Sequence, residues 1–113
     1  MSDIELPSNW LRGVLEPLLL SFLSTGEAYG YQLAGQLEEH GLGRIPGGSL
    51  YPALVRLEKQ SLLTAEWRAG DGGPGRKYYS ITSEGRAELE RHERAWNHFA
   101  SAVSSVLTSD VCR

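Results

Sequence analysis

Two short stretches hold side chains suited to gripping a polyanion. "IPGGSLYPALVRLEKQSLL", from Ile45 to Leu63, carries Ser49, Tyr51, Arg56 and Lys59, and "GGPGRKYY", from Gly72 to Tyr79, carries Arg76 and Lys77 behind glycines. Guanidinium and ammonium groups donate to phosphate oxygens, free backbone N–H groups at a helix start can hold another, and a tyrosine adds a hydroxyl on a flat apolar ring. The charge balance points the same way. From Arg44 to Lys77 there are six basic residues against three acidic, a local +3, while the rest of the chain carries −6. A local positive field attracts phosphates even where the whole chain is acidic.

Other chemistries find little footing. The chain has no phosphate-loop glycine pattern, dinucleotide fingerprint or nucleophile elbow, and Glu38 with Glu39 reads as a solvated helix end, so neither an enzyme nor a bound cofactor is expected. His92 and His98 fall about 240° apart around a helix, and with His40 they make no recognisable metal set. Cys112 is the single cysteine, which excludes an intrachain disulfide and fits a reducing cytoplasm. Val14 to Leu23 is apolar but broken by Glu16, Pro17 and Ser21, too short and too polar to span a bilayer. With 113 residues, 41% of them hydrophobic, the chain is expected to fold as one soluble, cytoplasmic protein with one modest core.

The elements that must position these side chains follow from periodicity. Leu50, Leu54 and Leu57 recur at i, i+4 and i+7, predicting a helix with Ser49 as N-cap, a buried leucine face, and Tyr51, Val55, Arg56 and Lys59 outside. Ahead of it, "SNWLRGVLEPLLLSFL" predicts a helix capped by Ser8, bent or restarted at Pro17 and ended by Gly26. "YGYQLAGQLEEHG" predicts a second, with Leu33, Ala34 and Leu37 facing the core and Gly41 as its stop. "LLTAEWRAG" and "RKYYSIT" read as strands joined by "GDGGPG", with Trp67 facing the tyrosines across the hairpin and one of Tyr78 and Tyr79 in the core. Thr82 caps a last helix running to about Ser109, along which Leu89, His92, Trp96, Phe99, Val103 and Val106 step by three and four. So small a domain has little left to cover that seam, and a helix from a second chain is the expected partner, against the alternative that it folds back on the first helix.

Three helices followed by a two-stranded hairpin with a glycine-rich tip is the order of a winged helix-turn-helix, a mostly α fold with a small β-hairpin. In it the third helix lies in a major groove and the hairpin reaches the backbone or minor groove. The competing reading is a winged-helix protein-interaction module that does not bind DNA. The local positive charge favours DNA.

The phrases "AYGYQLAGQLEEHG", "PGGSLYPALVRLEKQSLL", "GGPGRKYYSIT" and "SEGRAEL" together resemble the PadR family of bacterial transcriptional regulators, over most of the chain from Leu11 to Trp96. The resemblance implies a homodimeric winged-helix repressor on a pseudo-palindromic operator, released by a small molecule, with residues 8–82 as the DNA-binding domain and 83–109 as the dimerisation helix of the family's small members. By position, Tyr29 and Tyr31 match the start of the second helix, Ser49 to Arg56, including Tyr51 and Pro52, the recognition helix, and Gly73 to Tyr79 the wing; Lys59, Arg76 and Lys77 complete the expected DNA contacts. Leu89, Trp96, Phe99, Val103 and Val106 form the expected dimer interface. A flat aromatic effector is expected between dimer helices, against Trp10, Leu20, Ser21, Leu89, His92, Trp96 and Phe99. Two residues depart from the family pattern: Ser61 stands where glycine is usual after the recognition helix, and Pro17 where an ordinary helix former is usual.

Overall fold

A computed structural model describes residues 6–70 and 72–108. The elements are α1 (Ser8–Leu23), β1 (Ala28–Tyr29), α2 (Gly30–Glu39), α3 (Gly47–Lys59), β2 (Leu63–Gly70), β3 (Gly73–Ile81) and α4 (Ser83–Leu107). This is a winged helix-turn-helix followed by one long helix. Asp71, Ser109 and Cys112, which figured in the sequence reading, lie outside the described residues.

The core is a leucine cluster. Leu19 and Leu23 of α1, Leu33 and Leu37 of α2, and Leu50, Leu54 and Leu57 of α3 are all buried, closed from the sheet side by Leu63 and Tyr79. Tyr78, next along β3, is half-buried on the opposite face, as strand alternation requires.

Several boundaries differ from expectation for local reasons. α3 begins at Gly47, with Pro46 as N-cap at φ −65°, so Ser49 sits inside the first turn and is not the cap. Proline is preset to that φ, and the Pro46 carbonyl accepts from both Ser49 and Leu50 N–H. α1 likewise starts at Ser8 with Pro7 as N-cap, runs through Pro17 as one element, and ends at Leu23, before Gly26. Trp67 lies opposite Lys77, and Tyr79 is opposite Ala65, so the tryptophan is not directly across from either tyrosine. β2 ends at Gly70 as expected, while β3 begins at Gly73, further into the glycine run than composition suggests, with Gly72 at φ +69° helping to close the turn. β1 adds an unexpected third strand, the sheet order being β1-β3-β2, all antiparallel.

The ends of α2 and α3 are built alike. At α2 the N–H groups of Gly41 and Leu42 donate to Glu38 and Leu37 carbonyls, with Gly41 at φ +76°; at α3 those of Ser61 and Leu62 donate to Glu58 and Leu57, with Ser61 at φ +63°. This is the Schellman closure, whose left-handed residue is normally glycine. Ser61 therefore adopts the conformation of the residue it replaces, at a cost.

α4 is rooted in the corner that follows. Thr82 Oγ1 accepts from Gly85 N–H at 2.9 Å and donates to the Ser61 carbonyl at 2.7 Å, and Thr82 N–H donates to Leu62. Gly85 is buried directly on the Leu62 carbonyl, and a Cβ there would also stand 2.7 Å from Ile81 Cγ1. Beyond Leu89, which packs against the core, α4 runs outward.

Candidate nucleic-acid interface

α3 presents its leucines inward, so Tyr51, Pro52, Val55, Arg56 and Lys59 are exposed along its outer side. The start of α2, the start of α3 and the wing enclose a concavity of about 560 Å³ lined by Tyr29, Gly30, Tyr31, Tyr51, Trp67, Gly75, Arg76, Lys77 and Tyr79. Most of the expected DNA-contacting residues thus meet on one side of the molecule. Ser49 is half-buried behind them, and Gly73 is exposed at the start of β3.

Close packing fixes the aromatic part. The Tyr51 ring lies against Gly30, where a Cβ would fall 2.5 Å from Tyr51 Cε1, and also passes Gly47. Tyr29 closes α2 with Gln32, whose Oε1 accepts from Tyr29 N–H at 3.1 Å. Its ring meets Tyr78 edge-on at 5.4 Å and carries the Arg76 guanidinium 4.5 Å above it. Tyr31 (79% exposed) and Trp67 (69%) stand at the rim.

The charges divide into two groups. Arg56 Nε donates to Glu16 Oε2 on α1 at 2.7 Å, and Lys77 Nζ lies 3.1 Å from Glu58 Oε1 on α3. The hydrogen bond to Glu58 holds the Lys77 ammonium above the usual lysine range. Arg68 binds Glu27 with two nitrogens, reaches Glu66, and lies over the Tyr78 ring; those hydrogen bonds raise its pKa and depress that of Glu27. Lys59 and Arg76, by contrast, have no ion-pair partner among the described residues. The carboxylates Glu16 and Glu58 on this face, and the role of Gly30 under Tyr51, were missed by sequence reasoning; only the flanking tyrosines of "YGY" hinted at the last.

Residues 19–91 match the transcriptional regulator PadR-like family. The chain belongs to that family. It is therefore a DNA-binding transcriptional regulator and not an enzyme. A transcriptional regulator of Mycobacterium tuberculosis is 39% identical over 85 residues, which cover 75% of this chain and 78% of that one. Among solved structures, a PadR family transcriptional regulator from Eggerthella lenta superposes with a TM-score of 0.80 at 39% identity, covering 90% of this chain and 88% of its own. A PadR-like transcriptional regulator from Bacillus cereus gives 0.76 at 38%, covering 88% and 96%. Among the described residues no helix of this PadR-like chain is long and apolar enough to cross a membrane.

The residues expected to hold an effector are spread along α1 and α4. Trp96 and Phe99 are neighbours, ring centroids 6.1 Å apart, and 51% and 60% exposed; Val103 and Val106 continue the exposed line. His92 Nε2 lies 3.0 Å from Glu88 Oε2. Leu20 is in the closed core at 1% exposure, whereas Ser21 and Trp10 are at the surface. The hollow beside Trp96 is lined by Glu90, Glu93, Arg94 and Asn97 of the same helix and by none of the other expected effector residues.

Proposed function

We propose that this PadR-like regulator is a cytoplasmic repressor that acts as a homodimer. Residues 83–109 pair two chains, residues 8–82 of each read one half of a pseudo-palindromic operator, and a flat aromatic effector bound where Trp96 meets its symmetry mate releases the DNA. The observation that carries this reading is the exposed apolar line Trp96, Phe99, Val103 and Val106, long enough for a second α4 and rich enough in aromatic surface to stack a planar molecule. A two-fold partner would present two α3 helices together, as palindromic sites require. On each half, Tyr51 and Arg56 face bases, Lys59 and Arg76 face phosphates, and Tyr29 holds Arg76 in place.

The test is binding of the purified protein to a labelled fragment of its own upstream region and to random DNA over a salt series, with the mass measured in parallel. A dimer that prefers its own fragment, loses affinity steeply with salt and is displaced by an aromatic acid is the expected result. A well-folded dimer that binds no DNA at low salt would turn the α3 face into a protein-contact surface. Displacement that persists in Trp96→Ala would move the effector elsewhere.

A further inference from the structure

Lys77 looks, by type and place, like a second wing cation for phosphates, yet its surroundings are those of a structural tie. Its side chain is 29% exposed and that of Glu58 36%, making theirs, among the described residues, the ion pair in which both members are most covered. The ammonium also lies 5.5 Å from the centroid of the Tyr79 ring, which is itself buried in the core. The backbone that carries Glu58 is held as well, because the Glu58 carbonyl accepts the Ser61 N–H that closes α3. To reach a phosphate, Lys77 would have to leave both partners and uncover a carboxylate on the DNA-facing side, trading an attraction for a repulsion.

The place of the pair gives it leverage. Among the described residues it is the ion pair that joins the hairpin directly to α3; Arg68 ties the hairpin to Glu27, outside any helix. Below Lys77 the hairpin is anchored by Leu63 and Tyr79 in the core, and above it four more residues lead to Gly73. Those residues span about 14 Å, so a tilt of roughly 10° at Lys77 carries the tip about 2 Å, enough to break an uncharged backbone contact made there, while Arg76 beside the pivot moves by less than about 1 Å.

We infer that Glu58 and Lys77 are a positioning pair that sets the tilt of the wing against the recognition helix, Arg76 being the wing cation that meets DNA. This rests on the DNA-reading face proposed above. The experiment measures operator affinity over a salt series for Glu58→Gln, Lys77→Met, Lys77→Arg, Arg76→Ala and the reversed pair Glu58→Lys with Lys77→Glu, in the full-length dimer, each checked for a native melting curve. A positioning pair predicts that Glu58→Gln and Lys77→Met both weaken binding, by about fivefold, with the wild-type salt slope. It further predicts that Lys77→Arg and the reversed pair stay within about twofold of wild type, while Arg76→Ala lowers the slope by about 0.9. A direct phosphate contact predicts the opposite sign at Glu58: Glu58→Gln would bind tighter, Lys77→Met would lose slope, and reversal would be worse than either single change. That pattern, or a reversed pair that folds but stays weak, overturns the inference while leaving the DNA-reading face intact. Absence of DNA binding by the wild type overturns both.

Discussion

Both ends of the molecule expose large aromatic rings, but in different company. Around the wing, Tyr29, Tyr51 and Trp67 are interleaved with cations and glycines, one ring lying on the Gly30 backbone and another under a guanidinium. On outer α4, Trp96 and Phe99 stand in an apolar line with Val103 and Val106. Aromatics mixed with paired and unpaired cations make a surface that stays hydrated until an anion arrives, whereas an apolar line of helical period is stable only when covered. Exposure alone therefore says little about a ring; its neighbours distinguish a reader from a seam.

The comparison can be broken most severely at the seam. Phe99→Asp with Val103→Asp should give a folded monomer at micromolar concentration and lower operator affinity by at least about 100-fold, since two half-sites are no longer linked; sedimentation and DNA titration check this. A dimer of unchanged mass would show that the line is not the pairing surface. At the other end, Gly30→Ala should drive the Tyr51 ring from its seat, costing about 1–2 kcal/mol of stability and roughly tenfold in DNA affinity, read by thermal melting and titration. Removing the carboxylate beside Arg56 sharpens the distinction between paired and unpaired cations: Glu16→Gln should tighten binding about two- to fivefold, more on cognate than on random DNA, because it deletes a negative charge and frees Arg56 to reach bases. The smallest effect belongs to neither end. Ser61→Gly should raise stability by about 0.5–1 kcal/mol without changing DNA affinity, by relieving a side chain held at φ +63°.

What the sequence disclosed, and what it hid, follows the range of the interactions. The α3 leucines, the Thr82 cap and the winged-helix order are local patterns, and all three are present in the structure. The glycine seen as unusual by its absence at Ser61 was also legible, since the closure that wants it is built from neighbouring residues. The α3 start was misplaced because Gly47 and Gly48 are poor helix formers on their own, whereas Pro46 ahead of them is preset to the N-cap φ. Hairpin register was hidden by a glycine run that permits several turns. The ties of Arg56 to Glu16, 40 residues away, and of Lys77 to Glu58 depend on how whole elements pack, so basic residues that looked equivalent in the sequence occupy different electrostatic situations.

The root of α4 has a consequence for how the protein comes apart. Gly85, which sits on the Leu62 carbonyl, is eleven residues before Trp96. At about 100° per residue the two lie within roughly 20° of the same side of the helix, and Leu89, His92, Phe99 and Val103 fall close to that line. The stripe left bare on outer α4 is thus the same stripe that packs on the core at its base, continued past the edge of the domain. Two chains joined along it would share one uninterrupted interior, with no solvated gap between tertiary and quaternary packing. Pairing should then add to the stability of each domain's own core, and the melting temperature should climb with protein concentration.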